Sequence, residues 1–380
     1  MSAVIEPNQV IYSADSHVLE PANLWPDYID PKFRERGPHM ETTRTAADGT
    51  VMEGEFLVCE GIESQAVADF ATADIDRPED ATEGIMRGYA ELRPGGWDPR
   101  QRQDDQDVDG VMFEVLYPSL AMAMFHIPDV ELQQVVFKAY NSWVADYVTV
   151  APDRFLGIAM IGLDDMDWAL KELDRAHTLG LRGAMIWDDP GDKTYADLYF
   201  DPFWRAAAER NMPVSLHILT GKNGFGVKEF THPHYLAEYL WLTHPVQRSM
   251  SLMLVSGVFE RHPNLKLVSV ENDIGWLPHY LQRLEHVYTE QRFYTGYELP
   301  LSPLEYFARN CYATFQDDPV GVRNLDVIGA DRVMWASDYP HADSTWPRSR
   351  ETIERNFVGV PAEQVRAITR DNVAALYGIS

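Results

Sequence analysis

Cysteine is nearly missing from this chain: Cys59 and Cys311 are the only two among 380 residues. Two thiols cannot build a disulfide framework or a cysteine-based zinc site. They read as reduced thiols in a reducing compartment. Basic residues are scarce too, with 32 lysines and arginines against 59 acids and a net charge of −27. A surface of that sign repels phosphate backbones and anionic headgroups, so neither nucleic acid nor a membrane is an expected partner. No apolar run approaches the roughly 20 residues that cross a bilayer. The opening residues, MSAVIEPNQVIYSADSH, hold no basic n-region and no apolar h-region, so a cytoplasmic location is expected. Also missing are a glycine-rich phosphate loop, a GxSxG elbow, an internal repeat and a low-complexity tract.

What is present is an alternation. Short apolar runs stand at Val10–Ala14, Val111–Tyr117, Phe155–Gly162, Leu181–Trp187, Val214–Leu219, Leu265–Val270, Tyr312–Phe315 and Val333–Ser337. Longer helical patterns separate them, at Val130–Val150, Trp168–Leu179 and Phe203–Arg210 among others. Strands alternating with helices predict parallel βα units. Eight of them predict an α/β fold, a (β/α)8 TIM-like barrel, with residues 1–380 as a single domain. Two stretches exceed a minimal barrel. Residues 27–104 hold an Asp-Gly turn at Asp48 and a strand-like EFLVC, and are read as an insertion covering the barrel mouth. Residues 220–250, opening with Gly221, Gly224 and Gly226, form a long loop after the fifth strand and a candidate lid.

Polar residues gather where strands end, the face that carries chemistry in a barrel. Asp15 and His17 alternate at the end of the first run, so both side chains can point into the mouth. Taken alone, the pair is better explained as a capping acid beside a surface histidine. His217 interrupts the apolar VSLHIL, where a satisfied core histidine is the usual reading, but loop glycines follow and place it near a strand end. Asp338 ends the last run in WASDYPHADSTWP, where it can ligate a metal or take a proton from water. Glu114 sits inside the apolar VMFEVLYP, and a buried carboxylate needs a partner. An arginine inside the barrel and a metal ion fit that need equally well. His126 follows the second strand, Trp187 the fourth, Trp276 follows Glu271, and His341 follows Asp338. These four are candidate substrate contacts, His341 also as a group orienting a ligand. For each aromatic, core packing is the commoner role.

Several stretches resemble the amidohydrolase superfamily, in the branch that holds aromatic-acid decarboxylases and many metal-dependent hydrolases. They are ADSHVLEP, SLHILTG, VFERHPNLKLVSVENDIGWLPHYLQRLE and RVMWASDYPHADSTWP. The resemblance spans nearly the whole chain, and it makes Asp15, His17, His217 and Asp338 the metal ligands. Members usually carry a histidine at the end of the sixth strand, where this chain has Glu271 in VENDIGW. The bridging lysine of many binuclear hydrolases is not visible after the fourth strand, which ends in Trp187-Asp188-Asp189.

Three reactions follow, all on a small-molecule substrate and with one or two divalent metals (Zn, Fe or Mn) per chain. The leading expectation is metal-assisted hydrolysis of a small, cyclic or aromatic carbonyl compound, with metal-activated water and Asp338, Glu271 and His217 as catalytic groups. The first alternative is a non-haem di-iron monooxygenase. It needs Glu271 and Glu114 as added ligands, giving four carboxylates and two histidines, a set that suits iron. The second is non-oxidative decarboxylation of an aromatic acid, to which Glu271 in place of histidine is the obstacle. A homodimer through barrel helices or the insertion is an accompanying expectation.

Overall fold

The fold comes from a computed structural model that describes residues 5–6, 8–45, 49–73, 88–222 and 235–379. The first strand is β1 (Tyr12–Val18). A three-stranded antiparallel sheet follows, made of β2 (His39–Thr45), β3 (Val51–Val58) and β4 (Gln65–Ala66). Seven further strands then join β1 in one parallel sheet: β5 (Phe113–Pro118), β6 (Phe155–Met160), β7 (Gly183–Ile186), β8 (Val214–His217), β9 (Leu267–Val270), β10 (Cys311–Phe315) and β11 (Val333–Trp335). Their spatial order is their chain order. Each of the eight predicted runs overlaps one of these strands, and β1 runs four residues past its predicted end to Val18.

The sheet closes almost fully into a barrel. Between β1 and the segment after β11, Asp338 donates its backbone N–H to Asp15 (3.0 Å) and His17 donates to Tyr339 (2.7 Å). Ser337 adds a bond from its backbone N–H to Ser13 Oγ at 2.8 Å. Helices cover the outside, so strands such as FEVLYP and FLGIAM are buried along their whole length.

The helices start where the sequence provides caps. Val130–Val148 is capped by Asp129, whose side chain accepts from Glu131 and Leu132. Met166–Thr178 is capped by Asp165, and Asp201–Glu209 has a proline in its first turn. Phe137 of the first of these packs its ring 4.7 Å from Phe125 at the mouth. Burying one such side chain stabilises the fold by roughly 2–3 kcal/mol.

The insertion does reach the mouth. Phe70, after β4, sets its ring edge-on to His341 at 6.0 Å, and Ala73 donates to the Pro340 carbonyl. Its polar tail does something else: residues Pro99–Asp109 form a helix along the outside of the β1–β11 seam. The Asp48 turn lies outside the described residues, as do Gly224, Gly226, His232 and His234. The described part of the loop after β8 contains the helices Tyr235–Trp241 and Thr243–Val255. Among the described residues no helix is long and apolar enough to cross a membrane. Cys59 and Cys311 are both buried and free.

Candidate metal centre

Asp15 and His17 share one side of β1, and both are fully buried. His217, the last residue of β8, is buried opposite them. Each imidazole is fixed through its Nδ1, that of His17 to the Pro118 carbonyl (2.7 Å) and that of His217 to the Ile218 carbonyl (3.1 Å). A carbonyl can only accept, so each Nδ1 donates, and the neutral ring then carries a lone pair at Nε2. The two Nε2 atoms face each other at 3.3 Å. Two lone pairs at that distance repel unless a cation or a proton lies between them.

Carboxylates converge on the same point. Glu271 Oε2 lies 3.2 Å from both Nε2 atoms. Asp15 Oδ1 lies 3.6 and 3.8 Å from them, and Asp338 Oδ1 lies 3.2 Å from that of His17. His341 places Nδ1 3.3 Å from Asp338 Oδ1 and stacks its ring on His17 at 3.9 Å. Ligand atoms of Asp15, His17, His217 and Glu271 all fall within 4.8 Å of one another, as do those of His17, Glu271, Asp338 and His341. Asp15 Oδ1, Glu271 Oε2 and both oxygens of Asp338 are buried without a hydrogen-bond donor. Buried carboxylates without donors are destabilising by several kcal/mol unless a cation compensates them. The donor set therefore fits a divalent metal ion, and the chain carries a site for one.

Charge crowding shows in the acidities. Burial raises Asp15 and Glu271 well above the ordinary carboxylate range, and Asp338 adds to both shifts. Burial also works to raise Asp338, but the His341 and His17 imidazoles outweigh it and hold that carboxyl low. Burial and the neighbouring His17 push His217 well below its usual value. For His17 burial acts downward, yet Asp338 and Asp15 raise it.

The backbone is strained at the same ring of strand ends. Leu219, Glu271, Asp273 and Asp338 have φ of 67°, 55°, 53° and 60°. A left-handed conformation costs about 1–2 kcal/mol for a residue with a Cβ, and such strain gathers at functional sites. Two of these residues are cluster carboxylates.

Glu114 does not join the cluster. Arg102 holds it through Nε to Oε2 (2.6 Å) and Nη2 to Oε1 (3.1 Å), and Gln106 donates to Oε2 (2.9 Å). Of the two roles open to it, the arginine pair is the one in the structure. The ligand role and the four-carboxylate, two-histidine set for two irons are corrected accordingly, because both Glu114 oxygens are already taken. His126 is exposed and bonded to the Leu219 carbonyl at 2.9 Å. Trp187 is buried and donates to the Phe125 carbonyl (3.0 Å), with Lys222 over its face at 4.2 Å. Trp276 is half-buried and donates to the Asn272 carbonyl at 2.8 Å.

Three contributors escaped the sequence reading. Ser119 places Oγ 3.2 Å from His341 Nε2. Thr314 accepts from the Glu271 backbone at 3.0 Å and reaches Asp15 Oδ2 at 3.5 Å. Arg102 is the third. Of these, only Ser119 carried a signal, its place directly after a strand-closing proline.

The amidohydrolase family model matches residues 67–379. The chain belongs to that family. Curated relatives of this amidohydrolase are decarboxylases. The γ-resorcylate decarboxylase of Rhodococcus jostii (strain RHA1) is 28% identical over 265 residues, which cover 64% of this chain and 80% of that one. Hydrolysis, the leading expectation from sequence, is overturned by these relatives. Solved structures share the fold. An amidohydrolase from Mycobacterium avium subsp. paratuberculosis K-10 superposes with a TM-score of 0.76 at 22% identity, covering 99% of both chains. The 5-carboxyvanillate decarboxylase of Novosphingobium aromaticivorans, complexed with manganese and 4-hydroxy-3-methoxy-5-nitrobenzoic acid, gives 0.69 at 18% identity, covering 97% of this chain and 96% of that one.

Proposed function

We propose that this amidohydrolase is a metal-dependent, non-oxidative decarboxylase of a small hydroxylated aromatic acid. The observation that carries the reading is the close convergence of His17 and His217 with Asp15, Asp338 and Glu271, in a chain whose curated relatives are decarboxylases. A bound divalent ion, manganese in the Novosphingobium structure, supplies positive charge for the substrate carboxylate and a neighbouring hydroxyl.

Asp15, His17, His217 and Asp338 are assigned as its ligands. The Pro118 and Ile218 carbonyls fix the two imidazoles so that Nε2 faces inward. Glu271 and His341 have side chains 10% and 12% exposed, so substrate meets the cluster on their side. Phe70 gives that side an apolar wall beside His341. His126, Trp187 and Trp276 lie on the loops after β5, β7 and β9 and serve as outer wall residues.

The reaction breaks the bond between the ring and the carboxylate, leaving the electron pair on the ring carbon. Glu271 is assigned the proton that this carbon takes, and the site's exposure lets it regain one from solvent as CO2 leaves. A carboxyl group here does the work that a histidine does in other members, and in this reading it carries the proton when substrate binds. The whole chain acts as one domain in a reducing cytoplasm, where both buried thiols stay free.

The test uses manganese-loaded protein and a panel of hydroxybenzoates labelled at the carboxyl carbon, with labelled CO2 as the readout. Release from an ortho-hydroxy acid is expected. Glu271→Gln is expected to lower kcat by about a hundredfold or more, the size of a lost general acid, with substrate affinity little changed. A protein that holds manganese and releases no CO2 from any member would reject the reading.

A further inference from the structure

The helix Pro99–Asp109 is built inside out. Its sequence, PRQRQDDQDVD, is strongly polar, yet Arg102, Asp105, Gln106 and Asp109 are its buried residues. Their spacing of three and four places them on one face. Val108 and Met112 meanwhile stand 64% and 44% exposed. The helix is therefore fastened to the barrel by charge and hydrogen bonds rather than by apolar packing.

Arg102 is the centre of that attachment and is fully buried. Besides its two bonds to Glu114, it donates from Nη1 to the His17 carbonyl (2.6 Å) and from Nη2 to the Tyr339 carbonyl (3.2 Å). One carbonyl belongs to a metal ligand, and the other to the residue directly after a metal ligand. These two segments meet at the barrel seam, where only a few bonds join β1 to the chain beyond β11. The relative position of His17 and Asp338 thus depends on what bridges them from outside.

We propose that Arg102 is a positioning residue for the metal site. By holding both carbonyls in one rigid guanidinium plane, it sets how closely the His17 imidazole and the Asp338 carboxylate approach. Glu114 anchors the plane and neutralises its charge. Lysine cannot substitute: its single nitrogen cannot span acceptors on three different segments with a fixed fork. The inference rests on the ligand assignment made above.

The test measures the affinity of the intact chain for Mn2+ alone, from the paramagnetic resonance signal of free ion, with the melting temperature of metal-free protein read alongside. Arg102→Lys is expected to weaken Mn2+ binding by about tenfold, the effect of losing a residue that orients a ligand. Asp109→Asn serves as the comparison. It loosens the same helix at its far end, where Asp109 accepts from the Ser349 backbone (2.9 Å) and hydroxyl (2.5 Å). That variant is expected to melt lower and to keep wild-type Mn2+ affinity. Arg102→Lys binding within about fivefold of wild type overturns the proposal, and so does an equal loss in Asp109→Asn. If Arg102→Lys does not fold, Glu114→Gln keeps the guanidinium and frees its anchor, and unchanged affinity there is equally fatal. Wild-type protein that binds no Mn2+ would instead reject the ligand assignment.

Discussion

His17 and His217 owe their orientation to what lies behind each ring. The carbonyls of Pro118 and Ile218 fix both tautomers, and neither bond follows from a sequence pattern. Spacing alone put Asp15 and His17 on one side of a strand. Trailing glycines alone put His217 near a strand end. The ambiguity at Glu114 was of another kind: a buried acid needs a cation, and the sequence did not say whether that cation is an arginine or a metal. Glu20 shows the same physics at a place that the sequence reading passed over. It is buried, accepts the Ser119 N–H at 3.1 Å through Oε1, and leaves Oε2 without a donor. Burial pushes its carboxyl up to about 7 from an ordinary 4.5. The folded state therefore holds a proton that the unfolded state loses first. Glu20's contribution to stability is full below about pH 4.5 and falls away as pH rises to about 7, by on the order of 3 kcal/mol. Denaturant unfolding of metal-free wild type and Glu20→Gln across that window checks this. The wild type should lose stability relative to the variant as pH rises, and parallel curves would show that Glu20 titrates normally.

Among elements, most barrel strands were legible, because they are apolar runs bounded by turn residues and buried on both faces; β10, with a half-buried Tyr312, was the weakest of them. The helices Val130–Val148 and Met166–Thr178 were legible through their periodicity, and Asp201–Glu209 through its Asp-Pro start. The helix Pro99–Asp109 was not, since a run of charged residues without an apolar stripe reads as solvated loop. Its partners are polar groups far away in sequence, and only the closed barrel brings them together. That attachment leaves no slack at Gly95, where a Cβ would fall 1.8 Å from Asp105 Oδ2 and 2.8 Å from the Tyr339 hydroxyl. Asp105 is itself bonded to Tyr339 (2.5 Å) and Arg93 (2.7 Å). Gly95→Ala is expected to lower stability by about 1–3 kcal/mol, the range for forcing atoms into a filled space. Equilibrium unfolding in urea measures it, and an unchanged midpoint would mean that the helix shifts freely.

For the whole molecule the dominant property is the net charge of −27. It draws divalent cations toward the protein and repels an organic acid. If the substrate is an aromatic carboxylate, its encounter rate is slowed by like charge, and salt should relieve that. We expect kcat/KM for such an acid to rise several-fold between about 0.01 and 0.15 M of an inert monovalent salt, with kcat nearly constant. A flat or falling profile would show that the local field at the mouth overrides the net charge.

The seam has a further consequence in time rather than in space. Asp15 and Asp338 stand near opposite ends of the chain and meet only when the segment after β11 closes against β1. A ribosome delivers β1 long before that segment exists, and domains this large commonly pass through partly folded intermediates. A nascent chain can therefore assemble most of its strands and still lack two of its acids in the right place. On the ligand set proposed above, metal capture waits until that segment has closed against β1.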